Sequence, residues 1–327
     1  ASTLGVSFTR FLKEWRDFYT NMATSTNNTY KDPSGDWTQP LDLPLGTLPN
    51  NTRISLDNQY VAVTNRKAGR YTVDIINTET RAVTTILKGK YSQEKRTYLS
   101  RTPLVAWSRN NGLAIISEEN GRVFLELFDI SEKGKSKLRL SREIRGINQV
   151  VDFDISNDGS TLALSAVNRG QNDLYLFNIG RSSLLGLTSD LYDDRHPHFI
   201  GTSSTRVVFS SNRVKDSLAI PDKGSYKTVK EKMALFVHDG NPRAQTVARI
   251  VDSLNVISNA RTVDENTFYF LSDYKGVTNL YRYELDVKKL TSLTGFNQNI
   301  RDYDYLISSG AFVSINWHKD KESLFYQ

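Results

Sequence analysis

The chain of 327 residues contains no cysteine, which removes disulfides, zinc–thiolate sites, iron–sulfur clusters and thiol nucleophiles together. Long apolar runs are absent too. No stretch approaches the roughly 18 consecutive apolar residues of a membrane-spanning helix, and the first residues lack the basic and apolar regions of a signal peptide. The chain therefore reads as soluble, or as a soluble part of something larger. Histidine is scarce, with four copies, so candidate general bases are few. The sequence also lacks a Gly-x-Ser-x-Gly elbow, a His-Glu-x-x-His helix, a P-loop and a Gly-x-Gly-x-x-Gly fingerprint.

The formal charge is +6, but basic residues are scattered among acids, with one local cluster from Lys133 to Arg145. Nucleic-acid binding wants its basic residues on one stripe, so a nucleic-acid partner is not expected. Sixteen tyrosines and fifteen phenylalanines against two methionines suit sheets better than helical bundles. The exception is the opening segment. Phe8, Phe11, Leu12, Trp15, Phe18, Tyr19 and Met22 recur at intervals of three and four, which predicts a short amphipathic helix capped by Ser7. From Ala23 to Pro49 the composition turns to Thr, Asn, Pro and Gly, predicting a linker or edge strand.

Beyond Asn51, short runs of alternating apolar and polar residues are cut by Asn, Asp and Gly at regular intervals, the pattern of consecutive antiparallel strands. The clearest unit begins at Asp152, DFDISNDGSTLALSA, and continues as NDLYLFNI from Asn172 and LLGLTSD from Leu184. It reads as strand, tight turn, strand, loop, strand, turn, strand. Related copies begin near Arg53, Leu104, His196, Ile257 and Asp304, the last stopping short of its fourth strand. Repetition at a period of roughly 40–50 residues signals a β-propeller. The expected fold class is all-β: a six-bladed β-propeller of four-stranded antiparallel blades, with the N-terminal helix and linker over residues 1–50. Expected blades cover about 51–95, 98–146, 147–190, 191–253, 254–300 and 301–327. Leu41–Pro49 is the natural donor of the strand missing from the last blade. An insertion from Val214 to Lys232 falls between the second and third strands of the fourth blade, at one rim.

Within the repeats, Asn110-Asn111-Gly112 and Asn157-Asp158-Gly159 supply the positive φ of tight hairpins. Asp57, Asp158 and Asp264 stand at comparable first-turn positions, where turn formation explains them. Leu162-Ala163-Leu164, Val207-Val208-Phe209 and Phe268-Tyr269-Phe270 are expected as strands buried on both faces. Ser156–Thr161 approaches an Asp box, but its glycine falls one place early and no tryptophan follows.

With Phe153, Ser156, Asp158, Gly159, Leu162, Leu164, Leu174, Tyr175 and Leu187-Thr188, the third copy resembles the TolB-like, WD-repeat-like family of six-bladed propellers. DLYDDRHPHF from Asp190 and SDYKGVTNLYRYEL from Ser272 look like further hallmarks. The resemblance implies a bacterial cell-envelope protein, Bacteroidota-like, exported to the periplasm or associated with an outer-membrane complex, that binds a protein or an envelope polymer without catalysis. The opening helix resembles the last helix of gluzincin-type peptidase domains that precede such propellers. This leaves a second reading, the accessory propeller of a hydrolase whose catalytic domain lies outside the chain.

Candidate binding residues are Asp193, Asp194, Arg195, His196 and His198 in the tract before the fourth copy, Lys215, Lys223, Tyr226 and Lys227 in the insertion, and Tyr274 with Lys275. His196 and His198 alternate, so on a regular strand they share one face and could hold a metal with Asp193 or Asp194. No catalytic residue, cofactor or metal ligand is assigned on this basis. Ca2+ or Na+ could sit in the central channel, but no dense ligand run claims it.

Overall fold

Alternating side chains make each strand two-faced, and a sheet with two apolar faces must be covered on both. A ring of blades meets this demand by packing each sheet against two neighbours. The computed structural model describes residues 5–33, 39–41, 43, 46–90, 102–218, 232–252, 254–318 and 321–327. Over these the chain forms one helix, α1 (Phe8–Thr29), and 24 strands in six four-stranded antiparallel sheets.

The first blade holds β2 (Leu48–Ile54), β3 (Tyr60–Lys67), β4 (Arg70–Asn77) and β5 (Val83–Lys90), and the second β6 (Leu104–Ser108), β7 (Gly112–Glu119), β8 (Arg122–Ile130) and β9 (Ser136–Ile144). The third comprises β10 (Gln149–Ile155), β11 (Thr161–Asn168), β12 (Gln171–Asn178) and β13 (Ser183–Gly186). The fourth is β14 (Asp194–Phe199), β15 (Val207–Ser211), β16 (Ala234–His238) and β17 (Ala248–Val251), and the fifth β18 (Ile257–Arg261), β19 (Thr267–Ser272), β20 (Asn279–Glu284) and β21 (Lys289–Ser292). The sixth blade takes β22 (Ile300–Leu306), β23 (Ala311–His318) and β24 (Lys321–Tyr326) from the end of the chain and β1 (Gln39–Leu41) from its beginning. Pro40 pairs with Phe325 and Leu41 with Leu324, which closes the ring. The closing strand thus starts upstream of the predicted Leu41–Pro49, because Leu48 and Pro49 already belong to the inner strand of the first blade.

Six apolar clusters hold the ring, one at each seam between neighbouring blades. The predicted trios of β11, β15 and β19 are all buried. The first hairpins of the first and third blades are fastened by the same device: Ser55 and Ser156 donate to Asp57 and Asp158 at 2.6 Å, and each carboxylate also accepts the backbone N–H of Gln59 or Ser160. Asp264 does the same for Asn266 and Thr267. Gly159 adopts φ 71° and Asn111 φ 54°, the left-handed conformation that their turns require.

Ser7 caps α1 as expected, its hydroxyl accepting from Arg10 N at 3.3 Å. The helix runs seven residues past the predicted end at Met22. Thr24, Thr26 and Thr29 donate their hydroxyls to carbonyls four residues back, so side chains that favour turns are absorbed into the helix. None of α1 is buried. Among the described residues its C-terminal end bonds to the propeller, through Asn27 with Asn297, Tyr30 with the Lys275 carbonyl, and Lys31 paired beside Phe296.

Candidate functional site: the central channel and its mouth

Five of the six inner strands carry a β-bulge at the same height. Pairing shifts between Pro49 and Asn51, Val150 and Asp152, Arg195 and His198, Ser258 and Arg261, and Ile300 and Asp302, whereas β6 keeps a regular register. A bulge adds a residue to one strand and redirects the side chains beside it. Here it brings Asn51, Asp152, His196, Asn259 and Asp302 toward the axis. Asp302 accepts from Thr52 N (2.8 Å), Asn51 Nδ2 (3.1 Å), Arg53 Nη1 (2.9 Å) and Asn259 Nδ2 (3.2 Å), tying the sixth blade to the first and fifth. Arg53 lies 3.7 Å from Asp152 across the channel. The second blade joins through Val105 N to Asn51 Oδ1 and Trp107 Nε1 to the Arg53 carbonyl.

His196 sits in the bulge of the fourth blade with φ 53°, the left-handed region that residues with a Cβ seldom occupy, immediately before Pro197, which further restricts its backbone. Burial holds its imidazole down at about 4 against the pull of Asp152, so it is neutral at physiological pH, and among the described residues Nδ1 has no hydrogen-bond partner.

One end of the channel opens into a cavity of about 380 Å³ to which every blade contributes a wall. Arg53, Trp107, Asp154, His198, Arg261 and Asp304 set its chemistry. Arg261 Nε donates to Asp304 Oδ1 at 3.2 Å, and His198 Nδ1 lies 2.7 Å from Asp154 Oδ2, which also accepts Phe199 N. Burial alone would raise Asp154, but His198 and Arg261 hold it below the ordinary carboxylate range. Among the described residues no serine or threonine hydroxyl bonds to His198, so the His–Asp pair faces the cavity without a nucleophile set against it.

The predicted residues fall into separate places. His196 and His198 line the channel, but the bulge between Arg195 and His198 breaks the alternation that would have put them in one regular row. Neither aspartate joins them: Asp193 pairs with exposed Arg195 at 2.9 Å, and Asp194 is buried against Arg213. The metal set of two histidines and an aspartate is therefore not assembled. Tyr274 and Lys275 are exposed on the turn between β19 and β20, where the Lys275 carbonyl meets the end of α1. Lys215 lines a second, polar cavity of about 520 Å³ beside Arg249 and Asp252. Lys223, Tyr226 and Lys227 lie outside the described residues.

The sequence reading named Asp194 but not the buried charged group to which it belongs. Asp173 at the start of β12, Asp190 in the connection to the fourth blade and Asp194 at the start of β14 bring carboxylate oxygens within 4.8 Å of one another. Arg213 Nη2 donates to both oxygens of Asp194 at 2.9 and 2.8 Å and lies 3.2 Å from Asp190 Oδ2. Its guanidinium stands over the rings of Tyr192, Phe209 and Phe236. Burial, reinforced by Asp194, pushes Asp173 up to about 7. One signal was present in the repeats: Asp173-Leu174-Tyr175 is in register with Asn279-Leu280-Tyr281, so a carboxylate replaces an amide at an equivalent place.

No protein-family model matches the sequence, and no curated protein matches it. The fold has many counterparts among solved structures. TolB from Acinetobacter baumannii superposes with a TM-score of 0.53 at 15% identity, over 86% of this chain and 63% of that one. A protein of Agrobacterium tumefaciens described as a TolB gives 0.54 at 13%, over 86% and 90%. The β-propeller domain of the Trilobed protease from Pyrococcus furiosus gives 0.52 at 13%, over 87% and 94%. The present chain thus spans less than two thirds of the Acinetobacter protein's length, and these likenesses establish a shared propeller fold.

Proposed function

We propose that the chain is a non-catalytic binding scaffold that grips a protein or an envelope polymer at the mouth of its central channel. The observation that carries this reading is the cavity built by all six blades, where charged side chains are already held by ion pairs and, among the described residues, no serine or threonine hydroxyl bonds to His198 of the His198–Asp154 pair. Such a site presents shape and fixed charge. Its place of work on this reading is the periplasm or the cell envelope, as part of a larger outer-membrane-associated assembly, in keeping with the propeller shared with TolB.

A second reading is favoured by one of the same comparisons. The protease from Pyrococcus furiosus carries a propeller of this fold as one of its domains, so the chain could equally serve as the accessory domain of a hydrolase. Both readings put the ligand at the channel, and they part on chemistry.

Site-specific photocrosslinkers placed at Asn157 and Ser308 in the mouth, and at Leu138 on an outer strand, test the first reading in whole cells or envelope extracts. Adducts confined to the two mouth positions are expected. Equal labelling from Leu138, or none from the mouth, would remove it. Hydrolysis of peptide and glycan substrates by the isolated chain, lost in His198→Ala, would replace it with a catalytic function.

A further inference from the structure

We propose that the ligand at the channel mouth is an acidic peptide, a short segment of a partner protein that sets an aliphatic side chain on one half of the rim and a carboxylate on Arg109. This assignment rests on the binding reading given above and narrows its ligand from a protein or an envelope polymer to one chemistry.

The rim is divided. The fifth, sixth and first blades follow one another around the ring, and each places an aliphatic side chain at the opening: Val263, Ile307 and Leu56. Leu56 is 40% and Val263 54% exposed, and Ile307 is half-buried. On the other half, the second, third and fourth blades offer Arg109, Asn157 and Gly201. Apolar surface left open at a cavity, with polar groups opposite, suits contact with another molecule.

Charge selects that molecule. Of the arginines, aspartates and histidine that line the cavity, Arg53 is matched to Asp302, Arg261 to Asp304 and His198 to Asp154. Arg109 is exposed and has no acidic partner among the described residues. Its backbone is fixed, N donating to the Asn157 carbonyl of the third blade at 3.0 Å and the carbonyl accepting Gly112 N at 3.4 Å. The turn carboxylates Asp57 and Asp158 are taken up by their own hairpins. A guanidinium held open in this way presents paired donors that match a carboxylate.

The remaining surface favours a peptide over a glycan. Sugar rings are gripped by open aromatic faces, whereas Trp107 and Phe199 are buried and the Tyr305 ring lies against Tyr269 with centroids 5.1 Å apart. The Trp107 N–H is already spent on the Arg53 carbonyl. The cavity, about 380 Å³, is near the lower end for ligand sites and admits a few side chains rather than the face of a folded domain.

Panning a random dodecapeptide library against the full chain, with Arg109→Glu panned in parallel, tests this. The parent should recover peptides that place Asp or Glu beside Leu, Ile or Val, and the variant should recover Lys or Arg at the acidic place. In fluorescence polarisation a recovered peptide should bind at least about tenfold more weakly to Arg109→Gln, which lacks one charge-assisted contact. Leu56→Ser with Val263→Ser should weaken it as well. All three positions are exposed, so these variants keep the fold, as circular dichroism will check. Recovered peptides without acidic residues, the same set from Arg109→Glu, or an affinity unmoved in the rim variants overturns the proposal. Recovery of no peptide overturns it too. In that case an envelope polysaccharide retained at the mouth leaves the binding scaffold standing, whereas silence from both ligands and from the mouth crosslinkers removes the scaffold reading as well.

Discussion

Arg53 and Asp302 join the two ends of the ring: guanidinium Nη1 donates to carboxylate Oδ2 at 2.9 Å, across a separation of 249 positions in the chain. Both are almost fully buried, and the same carboxylate receives Thr52 N, Asn51 and Asn259. Removing one partner strands the other as an unpaired buried charge. Asp302→Ala is therefore expected to cost about 3–5 kcal/mol in urea unfolding. A loss under about 1 kcal/mol would show that water enters the channel and solvates Arg53.

Ring closure itself can be weakened separately. Leu41 of β1 is buried in the seam between the sixth and first blades, with Ile54, Val61, Val313 and Leu324. Leu41→Ala should cost about 2–5 kcal/mol, the usual range for a cavity in a packed core. Light scattering should also show association, because the freed β24 edge presents unpaired backbone groups.

Protonation of the channel has a definite sign. His196 faces Asp152 from the third blade, Arg53 from the first, Arg261 from the fifth and Arg195 of its own strand, and its folded pKa is about 4. The unfolded imidazole titrates near 6.5. Between these values the unfolded chain binds a proton that the folded chain refuses, so this residue lowers stability as pH falls from about 6.5 to 4. His196→Gln removes the effect. Denaturant melts at pH 7 and 5 should differ less in the variant than in the parent, and an imidazole that shifts in NMR between those pH values would contradict the expectation.

The apolar stripe of α1 stands in water. Trp15 is 54% and Phe18 60% exposed, and no residue of the helix is buried. Trp15→Ser with Phe18→Ser should therefore leave the thermal stability of the propeller within about 0.5 kcal/mol, as for other surface changes. A larger loss would mean that the stripe is covered in solution.

The turns explain why so much of the architecture was legible. Ser156, Asp158 and Gly159 act within five residues of one another, and the hydroxyl, carboxylate and missing Cβ that shape the hairpin are local chemistry. The same holds for the buried trio Leu162-Ala163-Leu164, whose unbroken apolar character already implies cover on two sides. Repetition of such units specified a propeller.

The sequence by itself thus determined the strands, their turns, the ring and the cap of α1. Tertiary structure alone decided the bulges that turn His196 and Asp302 to the axis, the choice of Gln39–Leu41 as closing strand, and the burial of Asp194 beside Arg213, away from both histidines. Alternation along a strand predicts a face only while the register is unbroken, and one inserted residue reverses it. Whether a bulge forms depends on partners contributed by other blades, and those meet only once the ring has closed.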